Sequence, residues 1–374
     1  MMENCICEIE QLKEFVDLPP KEEKKLKQIT RQHPMRVTPY YMSLIDWDDP
    51  DDPIRKMAIP SMEEFNLQGT YDTSGEAENT KMAGLQYKYQ ETALILATNK
   101  CAMYCRHCFR KRLVGLQTKE IIGRFEDAAT YIKQHEHINN VLVTGGDPLV
   151  LETEVIERVL SILSDLPQLK FIRFGSRAPV TFPSRFDDRK LLRVLSKYSR
   201  PDRRIYVVSQ FNHPNEITEQ SIKAVDNLIK SGVIVNNQTV LLKGVNDDPE
   251  VLANLLNSLV SIGVNPYYVF QCRPVKRVKH HFQVPLYRGI EIVEAAKARC
   301  NGHSKRFRYI MSHRTGKIEI LGIFEDEIYF KYHQAKNRKK LGKIFKRPID
   351  EDAGWLDDLT STSVHVLDAA PYLL

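Results

Sequence analysis

Three cysteines in one short loop, Cys101-Ala-Met-Tyr-Cys105-Arg-His-Cys108, place the strongest demand on whatever fold carries this chain. Directly upstream, Thr92-Ala-Leu-Ile-Leu-Ala-Thr98 is apolar and partly β-branched, and it reads as a buried strand. The loop therefore leaves the end of a core strand carrying three soft ligands at C-x3-C-x2-C spacing. An iron–sulfur cluster normally takes four cysteine thiolates, so three from one loop leave one iron open to a ligand that is not protein. A Cys3His zinc site with His107 is the first alternative. Structural zinc sites draw ligands from separated pairs, however, and His107 beside Cys108 is badly placed to wrap the same ion. A disulfide role is weaker still in a reducing compartment. The open cluster is the reading adopted.

Composition bounds the rest. A chain of 374 residues suggests one large α/β domain with appendages. No stretch approaches the roughly 20 apolar residues that span a bilayer. The start, Met-Met-Glu-Asn-Cys-Ile-Cys-Glu, carries no signal-peptide pattern. An odd count of 7 cysteines argues against a secreted disulfide scaffold, so a cytoplasmic protein is expected. Cys5, Cys7, Cys272 and Cys300 read as free thiols, with Cys5-Ile-Cys7 a place for adventitious metal. The net charge of +6 is partly local: eight Lys and Arg fall between 331 and 347, with Tyr332 and Phe345 interleaved. A solvated basic surface explains this segment better than a nucleic-acid patch.

Residues 1–85 read as a helical N-terminal extension, with helices across 8–32 and a linker at Asp46-Trp-Asp-Asp-Pro-Asp-Asp-Pro53. From 86 to 300 the texture is repeating strand–helix, and 301–374 forms a C-terminal segment. Strands are expected at 92–98, 140–144, 171–175, 204–210, 234–242 and 266–271. Helices are expected near 120–135, 152–166, 187–199, 216–231 and 248–262. Units of about 30–35 residues match a βα repeat with right-handed crossovers. The fold expected is α/β, a partial (β/α)6 barrel, with a doubly wound open sheet as the alternative.

In such barrels chemistry gathers at the C-terminal strand ends. There this chain places the cysteine loop with Arg110, Lys111 and Arg112; Thr144-Gly145-Gly146-Asp147-Pro148; Gly175-Ser176-Arg177-Ala-Pro179; Gln210-Phe-Asn-His213; Asn236-Asn-Gln238; and Gln271-Cys272-Arg273. Each motif alone is weak. Their common placement is not required by folding.

C-x3-C-x2-C after a first strand, with the ring of His107 before the third cysteine, resembles the radical SAM superfamily. That resemblance implies a [4Fe–4S] cluster on Cys101, Cys105 and Cys108, and S-adenosylmethionine on the open iron. It also implies a 5′-deoxyadenosyl radical and an electron donor to reduce the cluster. Gly145-Gly146-Asp147 resembles the turn that holds the methionine amino group. Met103–Arg112, Gly175–Pro179, Phe211–Thr218, Asn237–Asn246, Pro266–Tyr268 and Gln271-Cys272 further resemble the lysine 2,3-aminomutase family, over roughly 85–320. The family resemblance implies a 1,2-amino migration, with pyridoxal phosphate on Lys317 and Arg110 on the substrate carboxylate. It places His107, Gly145, Gly146, Asp147, Ser176, Arg177, His213 and Gln238 in the cofactor pocket. A homo-oligomer is compatible with it.

The departures narrow the substrate. The family's glycine run before its lysine is reduced to Gly316, with Arg314 nearby to pair with the phosphate. The C-terminal cysteine-rich segment of longer members is absent. The two acidic positions that receive a lysine ammonium are replaced by Arg273 and Ile310. An acidic or neutral side chain then suits the pocket better than free lysine. The competing readings are a radical enzyme of the same fold without pyridoxal phosphate, and a basic nucleic-acid-binding protein with a structural cluster, which would bind in a salt-sensitive way.

Overall fold

The structure, a computed structural model, describes residues 4–360. Twelve strands form one sheet in sequential order. Thr80–Met82 (β1), Leu85–Tyr89 (β2) and Thr92–Thr98 (β3) pair antiparallel. From β3 a parallel run continues through Asn140–Gly145 (β4), Phe171–Gly175 (β5), Arg204–Ser209 (β6), Ile234–Leu241 (β7) and Asn265–Gln271 (β8). These are the six expected strands, with ends shifted by at most one residue. Arg308–His313 (β9) adds a further parallel strand. The chain then turns back on itself as Gly316–Phe324 (β10), Glu327–Ala335 (β11) and Ile344–Pro348 (β12), all antiparallel.

Strand order decides between the two architectures. A doubly wound sheet reverses its order at a switch point. Here the order never reverses, and β1 and β12 remain as edges. The result is an incomplete barrel.

The helices Phe125–Lys133, Thr153–Ser164, Arg189–Tyr198, Glu219–Lys230 and Pro249–Ser261 connect the parallel strands, and Leu286–Arg299 leads to β9. Their N-termini are closed by side chains that take up otherwise unpaired N–H groups. Asp188 accepts from Lys190 and Leu191, Asp248 from Glu250 and Val251, and Thr218 exchanges bonds with Ser221. Buried Ile156, Val159, Leu160 and Leu163 pack this helical layer into the same core as Val143 and Ile172. No helix among the described residues is long and apolar enough to cross a membrane.

Two regions differ from the sequence reading. The acidic passage read as a linker ends in Asp52, which is 3% exposed and whose carboxylate accepts the Arg55 N–H at 2.6 Å. It thereby caps the packed helix Pro53–Ala58. The basic stretch 331–347 keeps its charged side chains out of the core, as expected, yet it is built largely on β11 and β12. Ile328, Phe330 and Tyr332 are buried there, alternating with polar residues whose charge hid the two-residue period.

Candidate active site

The strand-end motifs open on one cavity of about 340 Å³. Cys101, Cys105, Cys108, His107, Arg110, Gly145, Gly146, Asp147, Ser176, Arg177, Gln238 and Lys317 all line it. His213 does not, a correction to its expected place. It lies in a separate shallow cleft beside Asn215 and Asp248, where its Nδ1 accepts the Asn215 N–H at 3.2 Å. Strand alternation accounts for Gln238. On β7 the side chains of Gln238 and Val240 face the cavity, whereas Asn237 and Thr239 turn away and bond to Phe211 O.

The cysteine loop is held by the glycines of the neighbouring strand end. Gly146 and Asp147 donate their N–H groups to Thr98 O and Lys100 O at 2.5 and 2.8 Å. A Cβ on Gly145, at φ +121°, would lie 2.3 Å from Thr98 O, and one on Gly146 would lie 2.3 Å from Lys100 O. Only glycine permits this approach. Asp147 is spent on the same task. Its carboxylate accepts from Ser176 Oγ at 2.7 Å, Arg177 N at 2.7 Å and Leu149 N at 3.0 Å, fastening the ends of β4 and β5 together.

Beneath the loop sits a buried charge group. Glu64, fully buried, takes Arg106 at 2.6 and 2.7 Å and Lys111 at 2.7 Å. Burial alone would push the Glu64 carboxyl up, but Arg106 and Lys111 outweigh it and hold it at about 2. Arg106 N also donates to Met57 O, and Tyr104 N to Arg36 O, so the N-terminal residues form the floor of the loop.

Cys101, Cys105 and Cys108 are free thiols on this wall. Burial pushes the Cys108 thiol up to about 11, helped by Cys105, and raises Cys101 as well, helped by Asp147. Bound iron would overcome this, since a coordinating thiol is deprotonated outright. Among the described residues no three His, Cys, Asp or Glu side chains converge on one ion.

His107 carries a second sign of a missing partner. Val240 N donates to Asn212 Oδ1 at 3.0 Å, which fixes the orientation of that amide. Asn212 Nδ2 then donates to His107 Nε2 at 3.3 Å, and Gln210 Nε2 lies 3.2 Å from the same atom. The ring proton must therefore sit on Nδ1, which is buried and without a hydrogen-bond partner. Burial, with Arg177 and Lys111, holds this ring well below its ordinary pKa, hence neutral. An unsatisfied buried donor on a cavity wall is what a polar cofactor would complete.

Across the cavity stands Lys317, paired in register with Ser312 of β9 and Gln334 of β11. Its Nζ lies 4.8 Å from the centre of the Tyr268 ring, whose hydroxyl meets His333 Nε2 at 2.8 Å. Burial, then Arg173, Arg273 and Lys88, push the Lys317 amine down to about 7. Lys88 is likewise pushed down to about 7 by burial and by Arg273. Arg314 does not take the part expected of it: it is exposed at the β9–β10 turn and absent from the wall. Lys88 and Arg173 line the wall instead. The sequence reading missed both, although a lone guanidinium inside Phe171-Ile-Arg-Phe-Gly175 is a signal in itself.

Arg110 is 5% exposed and already oriented. Its Nε donates to Glu76 at 3.0 Å and its Nη1 to Thr144 Oγ1 at 3.2 Å, while Arg112 takes the other Glu76 oxygen at 2.9 Å. Arg273 stands beside it. The Arg110 and Arg273 guanidinium carbons lie 4.7 and 4.0 Å from the centre of one ring, Phe109. Arg273 Nη1 and Nη2 donate to Ser74 and Ser312 at 2.9 and 3.0 Å. Ile310 is fully buried off the wall, and Ser312, two residues on, lines the cavity in its place. Glu76 and Ser74 come from the N-terminal extension, where the sequence offered no motif to mark them.

The Radical SAM superfamily model matches residues 95–256, from within β3 into the helix Pro249–Ser261. Fold and match together define a radical SAM enzyme, whose cofactors are a [4Fe–4S] cluster and S-adenosylmethionine. The chain is 43% identical over 353 residues to a "Putative L-lysine 2,3-aminomutase" of Aquifex aeolicus, covering 93% of this chain and 94% of that one. It is 39% identical to the "L-lysine 2,3-aminomutase" of Clostridium subterminale, over 80% of this chain and 71% of that one. It is also 39% identical to the "Glutamate 2,3-aminomutase" of Clostridioides difficile, over 80% of this chain and 70% of that one. The chain belongs to the lysine 2,3-aminomutase family, and it is an isomerase of the aminomutase kind.

Proposed function

We propose that this chain is a 2,3-aminomutase whose substrate is an α-amino acid with an acidic or neutral side chain rather than free lysine. One observation carries the reading. Lys88, Arg110, Arg173, Arg177, Arg273 and Lys317 line the cavity against two carboxylates, Glu76 and Asp147. Both carboxylates are committed, Glu76 to Arg110 and Arg112, and Asp147 to Ser176 and backbone N–H groups. A lysine ammonium entering beside Arg273 would face like charge with no carboxylate free to receive it. Relatives named for lysine at 39–43% identity and for glutamate at 39% lie close together, so the pocket carries this choice.

The residues divide the work. Cys101, Cys105 and Cys108 would hold the cluster, and Gly145, Gly146, His107, Ser176 and Gln238 would bind S-adenosylmethionine. Lys317 would carry pyridoxal phosphate, and Lys88 and Arg173 supply cations for its phosphate. Together the bound cofactors supply a hydrogen-abstracting radical and a π system that spreads the unpaired electron. An amine at about 7 is half deprotonated near neutrality, as a nucleophile toward a carbonyl must be. Glu76 and Thr144 orient the Arg110 guanidinium before a carboxylate arrives, so little freedom is lost on binding. Arg273, braced by Ser74 and Ser312, reads the side chain. A reductant for the cluster is the partner this chemistry requires.

The test is an anaerobic assay of the reconstituted enzyme against a panel of amino acids, following 5′-deoxyadenosine and deuterium exchange at the β-carbon. Acidic or neutral amino acids should exchange and isomerise. Turnover of free lysine near the ordinary enzymatic scale of about 10 s⁻¹ would sink the substrate assignment.

A further inference from the structure

We infer that Arg177 sets the reduction potential of the cluster through the sulfur of Cys105, and that Tyr41 and Glu216 hold it there. The inference rests on the assignment of Cys105 as a cluster ligand.

Arg177 is 8% exposed and every nitrogen of its guanidinium group is engaged. Its Nη1 donates to Cys105 Sγ at 2.9 Å and its Nε to Gln210 O at 3.0 Å. Its Nη2 donates to Tyr41 Oη at 3.2 Å and forms an ion pair with Glu216. Tyr41 in turn donates to the same Glu216 oxygen at 2.6 Å. The second Glu216 oxygen accepts the Asn212 and His213 N–H groups at 2.6 and 3.1 Å. Tyr41 and Glu216 are both fully buried. The guanidinium therefore has one geometry, with Nη2 on the carboxylate, Nε on the Gln210 carbonyl and Nη1 on the thiol.

The other two thiols are served differently. Among the described hydrogen bonds, Cys105 is the cluster thiol that receives a charged donor. Hydrogen bonds to ligand sulfur, net charge and solvent exposure are the levers that set a cluster potential. A cationic N–H on thiolate sulfur stabilises the extra negative charge of the reduced state, so its sign is fixed: it raises the potential. Two chain regions far apart in sequence converge to hold this one contact. Tyr41 belongs to the N-terminal extension and Glu216 to the loop after β6. Arg177 is a positioning and tuning residue in this account, not a catalytic one.

The experiment is a redox titration of the reconstituted cluster, read by electron paramagnetic resonance without S-adenosylmethionine, after iron and sulfide content has been measured. Arg177→Gln, with four irons retained, should titrate at a clearly more negative midpoint than wild type. Arg177→Lys, which keeps a cation, should recover part of that shift. Tyr41→Phe should move the midpoint in the same direction by less, because an unscreened Glu216 draws the guanidinium from the sulfur. Should Arg177→Gln fail to assemble a cluster, Tyr41→Phe decides, and an unmoved midpoint there overturns the inference. A full cluster with an unshifted midpoint in Arg177→Gln overturns it alone. Failure of the wild-type chain to assemble any cluster overturns the cluster assignment, and this inference with it.

Discussion

The two walls of the cavity are built on opposite electrostatic plans. On the cluster side the buried carboxylates are matched: Glu64 lies between Arg106 and Lys111, Glu216 against Arg177, and Asp147 on Ser176 and backbone N–H groups. On the Lys317 side Lys88, Arg173 and Arg273 crowd one another, and burial together with neighbouring cations pushes the amines of Lys317 and Lys88 down to about 7, Glu76 and Asp72 offsetting only part of this at Lys88. The first wall has its carboxylates satisfied as folded. The second is complete only when anions enter it, which is what a phosphate and a substrate carboxylate supply.

The largest effect that would break this comparison comes from the cluster wall. Cys105→Ala should reduce S-adenosylmethionine cleavage to background, measured as 5′-deoxyadenosine released under reducing conditions. On the other wall, Lys317→Ala should abolish the visible absorbance of lysine-bound pyridoxal phosphate and leave iron content unchanged. Loss of iron as well would mean that the two walls are not independent. Glu64→Gln should cost about 3–5 kcal/mol in denaturant unfolding, because it strands two buried cations. The same group predicts acid sensitivity. Its folded pKa of about 2 lies below the ordinary 4.5, so its stabilisation is full above 4.5 and fades as pH falls toward 2.

Smaller effects sharpen the contrast. Arg273→Ala should raise KM for an acidic substrate tenfold or more, about 1.4 kcal/mol, with kcat changed less. An equal fall in kcat would assign Arg273 to the transition state instead. Finally, the rate at which the apoprotein takes up pyridoxal phosphate should rise with pH through about 7 and then level. Below that the Lys317 amine is protonated, and above it the amine is free. A rise continuing toward 10 would mean that the unpaired cations do not act on Lys317.

Most of the parallel strands β3 to β8 were legible as short apolar runs bounded by polar turns, and β7 by the alternation of buried and half-buried residues along Ile234–Leu241. That Cys101, Cys105 and Cys108 share one cavity wall was legible because spacing within one loop is a local property. Lys88, Arg173, Ser74 and Glu76 were not, since each is an ordinary residue until the fold brings it to the wall. His213 failed for the matching reason: it follows a strand end, yet its ring turns into another cleft. Arg314 sits three residues from Lys317, but the tight β9–β10 turn sends it to solvent.

By itself, then, the sequence determined the cluster loop, the βα repeat and the class of chemistry. All three are written in contiguous residues and short periods. Only the tertiary structure decided how charge is balanced. It set Glu76 on Arg110, Arg177 on Cys105 and Arg273 next to Phe109, pairs separated by 34 to 164 positions, as the difference of the larger and smaller number gives at each extreme (110 − 76 and 273 − 109). Electrostatic energy depends on distance through space and on burial, and neither is a property of neighbours along the chain.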